Sequence, residues 1–310
     1  MKFTLMHWSD SHAMLAGTNA AISVLNSFDA DIKIHTGDIC QNVFENDISY
    51  ANLQSSYLVI GNHDSLLSAG ADPAGCHWDM MPTLKQKYEK FFKPYISNRT
   101  NVVQNVNETW WYKRFDDKKV LFIGLDCCVD ATTAAMENLW FGNQLQWAIE
   151  NGYYVVIASH IIDQTRTPIF NGFTTGGTYF TGNWGVTSID GKWYKMVKLA
   201  DTTVHNYVSN GCKVILRIYG HEHPDAFFNY DGFPSFCVGS TLHDSYNDVS
   251  RRDDANYTSC AVVNKYVFDS SLNTITMYRL GAGNSTSGFK RKMLCYDLTK
   301  KAVVSTCSRY

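Results

Sequence analysis

Five times along this chain an apolar, β-branched run ends in a short loop crowded with Asp, His and Asn. The runs are Phe3–Met6, Ile32–Ile34, Tyr57–Ile60, Tyr153–Ile157 and Lys213–Tyr219. The loops that follow contain Asp10-Ser11-His12, Gly37-Asp38, Gly61-Asn62-His63-Asp64, Ser159-His160 and Gly220-His221-Glu222-His223. Short apolar runs rich in Val and Ile read as buried strands. Helical stretches are expected between them at about 13–27, 82–93, 142–150 and 195–210, the second ending before Pro94. Strands alternating with helices imply parallel pairing through crossovers. Open α/β sheets place their chemistry beyond the carboxyl ends of the strands.

The rest of the chain reads differently. Beyond residue 230 the text turns mostly β, with strands expected at 234–239, 258–268, 273–280 and 291–297. Asp269 to Asn273 is a hairpin connection made of turn-forming residues. A segment at about 168–195 breaks the alternation with Gly, Thr and the aromatics Phe173, Tyr179, Phe180, Trp184, Trp193 and Tyr194. Two roles fit it, a lid stacked on an organic substrate or packing at an interface. The expectation is one domain over 1–310, with this insertion and a β-rich C-terminal part at about 234–310.

Composition narrows the function classes. With 310 residues, 45% hydrophobic and 18% charged, the chain is globular and long enough for a large core. A formal net charge of −2 gives no general attraction to nucleic acid or to an anionic membrane, so affinity for an anion must be local. The chain runs from Met1 straight into its first strand, and no apolar stretch reaches the roughly 18 residues of a membrane span. The nine cysteines are odd in number, form no C-x-x-C pair, and several sit in strand-like runs. They read as reduced, mostly buried thiols of a cytoplasmic protein.

In order and spacing the five loops resemble the motifs of the calcineurin-like metallophosphoesterase superfamily: D-x-H, G-D, G-N-H-[DE], a lone H, and G-H-x-H. The resemblance covers roughly the first two thirds of the chain, from Asp10 to His223. It implies an α/β fold, a four-layer α/β/β/α sandwich of two mixed sheets with a dimetal site at the strand C-terminal loops. It also implies a ligand set: Asp10, His12 and His223 on one divalent metal, Asn62, His160 and His221 on the other, and Asp38 bridging both. The implied reaction is hydrolysis of a phosphate ester by a bridging hydroxide. His63 would face the substrate and aid the leaving oxygen, with Asp64 orienting its imidazole.

The residue types suit that chemistry. Two divalent cations about 3.5–4 Å apart clamp an in-line displacement at phosphorus. Residues i and i+2 of an extended segment point the same way, which lets Asp10 act with His12 and His221 with His223. Asn62 adds a neutral oxygen. Two dications, Asp10, Asp38 and a hydroxide leave the site at about +1, enough to draw an anionic ester. His, Asp and Asn donors accept Mn, Fe or Zn alike.

Other residues carry weaker signals. Arg166 and His243 are candidates for substrate contact, and Asp126 for supporting the ligands from behind. His7, His35, His77 and His205 have no motif around them and read as structural. The protein-phosphatase branch continues G-D with Val-Asp-Arg-Gly, whereas Gly37-Asp38 continues Ile39-Cys40-Gln41-Asn42. The purple acid phosphatases need a tyrosine where Gln41 stands. A small or medium organic phosphate ester is the expected partner, a diester slightly ahead of a monoester or nucleotide. A nuclease of the same fold is disfavoured by the neutral-to-acidic composition, because tracking a nucleic-acid backbone usually needs a basic groove. A non-catalytic binding module is the remaining alternative. The Tyr278–Gly283 run resembles phosphoesterase modules of phage structural proteins, which would imply virion association.

Overall fold

The computed structural model describes residues 1–12, 15–40, 56–65, 82–94, 102–162, 195–221, 226–230, 232–238, 262–281 and 293–307. Its elements run β1 (Lys2–Trp8), α1 (Leu15–Asn26), β2 (Ile32–His35), β3 (Tyr57–Leu58), α2 (Leu84–Lys87), β4 (Val102–Val103), β5 (Trp111–Phe115), β6 (Val120–Gly124) and α3 (Ala131–Asn151). Then follow β7 (Tyr154–Ala158), α4 (Lys195–Ser209), β8 (Lys213–Tyr219), β9 (Ala226–Tyr230), β10 (Phe233–Cys237), β11 (Val262–Asp269), β12 (Thr274–Gly281), β13 (Met293–Asp297) and β14 (Ala302–Cys307).

The strands make two seven-stranded mixed sheets. One has the order β14-β13-β12-β11-β1-β2-β3, the other β4-β5-β6-β7-β8-β10-β9. The motif-bearing strands β1, β2, β3, β7 and β8 all lie in the parallel parts of the sheets: β1 with β2, β2 with β3, and β7 and β8 between β6 and β10. β6 is buried at every position, as a strand covered on both faces should be. β11 instead alternates buried and half-buried residues towards its C-terminal end. Aromatic side chains join the two sheets, with Tyr154 against Phe268 at 4.8 Å and Phe236 against Tyr266 at 5.2 Å between ring centroids. Fully burying one such side chain contributes about 1.5–3 kcal/mol. A second core fills the space between the other face of β6–β8 and helices α3 and α4. Helix α1 covers the first sheet, its Ala21 and Leu25 joining the inter-sheet cluster. The expected four-layer sandwich is the observed fold.

Several boundaries differ from the sequence reading. Helix α3 begins at Ala131 rather than near 142, because Asp130 caps it by accepting the amides of Thr132 and Thr133. It stops at Gly152, whose φ of 69° needs no Cβ. Strands β4, β5, β9 and β14 were not expected. Cys40, Cys127, Cys128, Cys212, Cys237 and Cys295 stand in no disulfide, and all but the last are buried. Among the described residues no helix is long and apolar enough to cross a membrane. Most of the aromatic segment at 168–195 lies outside the described residues, as do His223, Arg166, His243 and His77.

Candidate metal centre

Backbone hydrogen bonds knit the loops at one end of both sheets. The amide of Asp10 donates to the Gly37 carbonyl at 3.0 Å, and that of His12 to the Asp38 carbonyl at 2.9 Å. Across the other sheet, the Ser159 amide reaches Ile218 O and the Gly220 amide reaches His160 O, each at 3.1 Å. The loops can approach this closely only where a side chain is missing. A Cβ on Gly61 would stand 2.1 Å from Asp38 Oδ1, and one on Gly220 would stand 2.0 Å from Ser9 Oγ. Asp10, His12, Asp38 and His221 all have φ between 43° and 72°, a left-handed backbone that costs non-glycine residues energy and tends to gather at functional sites.

These constraints turn the predicted side chains inward. Oδ2 of Asp38 lies 3.2 Å from Nε2 of His160 and 3.6 Å from Nε2 of His12. Its other oxygen accepts the His63 amide at 2.9 Å. The ligand atoms of Asp38, His160 and His221 lie within 4.8 Å of one another, and so do those of His12, Asp38 and His63. Asp38 belongs to both groups. Asn62 Oδ1 sits 3.0 Å from His160 Nε2 and 2.9 Å from His221 Nδ1. The Asp10 carboxylate accepts the His221 amide at 3.1 Å. Asp10, Asp38, Asn62 and His160 are almost wholly buried.

The donor set fits cations. His160 Nδ1 is 2.6 Å from the carbonyl of Thr36, which can only accept, so Nδ1 carries the proton. In neutral His160 the Nε2 lone pair then faces the oxygens of Asn62 and Asp38. Lone pairs converge there with no proton between them, and a positive charge must lie among them. Without a metal that charge is a proton. Burial alone would lower the His160 pKa, but Asp38 and Asp10 raise it to about 9. Burial pushes Asp10 up to about 7, with the Asp38 charge adding to it and His160 opposing. Burial pushes Asp38 up too, yet His160, His63 and His12 hold its carboxyl well below the usual range. His35, behind the ligands, is lowered to about 3 by burial and by His160.

Asp64 departs from its expected role. Its carboxylate accepts the amides of Ile39 and Cys40 and the Cys40 thiol on Oδ1, and the Gly61 amide on Oδ2. The His63 imidazole is not among its described partners. Both residues lie in one 3₁₀ turn, His63–Ser65, where successive side chains diverge by about 120°. Asp64 therefore ties the Asp38 loop to the Asn62 loop instead of orienting the imidazole. His63 packs edge-on to His12, with ring centroids 4.6 Å apart, and is only half-buried.

Sequence reasoning missed Thr36, whose carbonyl sets the His160 tautomer. Its place immediately before Gly37-Asp38 was the available signal. Asp126, the candidate for support, pairs with buried Lys87 at 2.7 Å and accepts Thr109 Oγ1 at 2.5 Å. Lys87 also approaches Ser65 Oγ at 3.5 Å, so this network backs the Asn62 loop.

The fold has solved counterparts. A dimetal phosphatase from Danio rerio superposes with a TM-score of 0.51 at 10% identity, covering 91% of this chain and 96% of that one. A putative 5'-nucleotidase from Staphylococcus aureus gives a TM-score of 0.48 at 12% identity, covering 91% of this chain and 54% of its own. The anchor in the inner membrane complex of Plasmodium gives 0.46 at 10% identity, covering 99% and 88%. No protein-family model matches the chain, and no curated protein matches it in sequence. The fold is that of the calcineurin-like metallophosphoesterases. At this identity the likeness is one of fold, and activity has to be argued from the site.

Proposed function

We propose that this chain is a metal-dependent phosphoesterase with a dinuclear centre. The observation that carries the reading is the position of Asp38, shared by the His12 group and the His160 group. Asp10, His12 and His223 would hold one cation, Asn62, His160 and His221 the other, and Asp38 both, with Mn, Fe or Zn suited to these donors. Bound there, the pair would supply Lewis acidity and a nucleophilic water at neutral pH. The chain's own residues do the rest. Thr36 holds the His160 proton on Nδ1 and so keeps Nε2 turned to the centre. Asp64 fixes the spacing of the two ligand loops. His63, half-buried beside His12, stands where it can hold a proton for a departing oxygen.

The substrate is a small or medium organic phosphate ester. A site charge of about +1 balances one negative charge, which leans the preference towards a diester. The test is hydrolysis of bis-p-nitrophenyl phosphate and p-nitrophenyl phosphate with Mn²⁺, Zn²⁺, Mg²⁺ or Ni²⁺ added in turn. The diester should show the larger kcat/KM under the same metal. A clear monoester preference moves the reading to a phosphatase or nucleotidase, and no turnover with any metal contradicts it.

A further inference from the structure

Behind the candidate centre, His7 on β1, Asn264 on β11 and Arg279 on β12 form one cross-strand row. His7 pairs with Asn264, and Asn264 with Arg279. Paired residues on adjacent strands share a face of the sheet. All three are buried, as are Tyr266 and Thr36. Polar groups at this depth must satisfy one another.

Followed from the arginine, the hydrogen bonds along the row form a directed path. Arginine only donates, so Arg279 Nη1, 3.1 Å from Asn264, faces the amide oxygen. That fixes the Asn264 amide with its NH₂ towards Tyr266 Oη, at 3.2 Å. The tyrosine oxygen accepts this bond and can give its own proton to His7 Nδ1, at 3.3 Å. His7 Nδ1 then accepts, and the proton of the neutral ring is on Nε2. It donates to Thr36 Oγ1 at 2.8 Å. Burial first, then His35 and Arg279, lowers the His7 pKa well below its ordinary value, so the ring is neutral.

We infer that Arg279, Asn264, Tyr266 and His7 are positioning residues: a one-way donor chain from a fixed cation that pins Thr36, whose carbonyl holds His160 Nδ1 and aims Nε2 at the metal. Thr36 is the last residue before Gly37 and Asp38, both with positive φ. Its side chain is thus held where the backbone begins its left-handed turn into the bridging aspartate. Partners of this kind behind a metal-binding histidine typically change metal affinity by about 10–100-fold. The inference rests on the dinuclear reading for its metal readout, but not for its tautomer readout.

The experiment uses the full chain. Long-range ¹H–¹⁵N spectra of the metal-free protein should show His7 as the Nε2–H tautomer and His160 protonated on Nδ1. Tyr266→Phe keeps the ring in the core and removes the relay. In that variant His7 should populate both tautomers, and Zn²⁺ affinity, measured by chelator competition, should fall about 10-fold or more. Arg279→Met should do the same, and Arg279→Lys should restore both readouts. Wild-type His7 as the Nδ1–H tautomer would overturn the chain, and so would His7 signals and Zn²⁺ affinity unchanged in both Tyr266→Phe and Arg279→Met. A wild-type protein that takes up no metal would sink the dinuclear reading instead, leaving the His7 tautomer to decide the chain by itself.

Discussion

The carboxylate of Asp64 accepts both the amide and the thiol of Cys40, at 3.0 and 3.2 Å. With the Ile39 and Gly61 amides also bound to it, the side chain is a brace between two ligand loops. Asp64→Asn must turn an NH₂ towards donors that need an acceptor. It should destabilise the fold by about 1–3 kcal/mol, the usual cost of a buried group left unsatisfied. Its loss of rate should be the same for esters with good and poor leaving groups. A loss confined to poor leaving groups, with the urea midpoint unchanged, would restore the orienting role first assigned to it.

His63 needs a different discrimination. Its imidazole lies close enough to His12 and Asp38 to serve as a ligand, whereas the proposal gives it the leaving oxygen. His63→Ala should keep both metals and lose roughly 10²–10⁴-fold in rate. The loss should shrink for p-nitrophenol esters. Metal analysis showing one ion gone from the variant would make His63 a ligand.

Glu137 gives a dependence on pH. Burial, then the charge of Asp126, raises its pKa well above the ordinary 4.5. Oε1 accepts the Asp126 amide at 2.8 Å. The folded state therefore keeps a proton that the unfolded chain has released. This contribution is complete below the unfolded pKa and is lost as pH rises towards the folded one, at about 1.4 kcal/mol per pH unit. Glu137→Gln keeps an acceptor for that amide and cannot ionise. Urea unfolding between about pH 5 and pH 8 should show a falling stability in the wild type and a flatter profile in the variant. Parallel profiles would mean that Glu137 does not bind the extra proton.

Much of this was readable in the chain. Strand β7 carries an unbroken apolar run because both faces are covered, and its end marked the Ser159-His160 loop. What was missed depends on distant contacts. β5 reads Trp-Tyr-Lys-Arg-Phe, and its charges hid it. In the fold Arg114 lies 3.7 Å from the Trp147 ring centroid and Lys113 5.2 Å from that of Phe115, so their stems cover apolar surface. The threonines that open α3 are poor helix formers, and the Asp130 cap compensates for them. Asp64 beside His63 looked like its partner, and only the 3₁₀ turn separates them. His7 looked structural because Tyr266, its partner, is 259 residues away.

The central claim is that Asp38 joins two metal sites, and metal analysis of wild type against Asp38→Ala tests it most directly. After loading with Mn²⁺ or Zn²⁺ and removal of excess, two ions per wild-type chain are expected, one at each of the two groups that share Asp38. Asp38→Ala should lose at least one ion and nearly all turnover. Equal occupancy and equal rate in the two proteins would contradict the account.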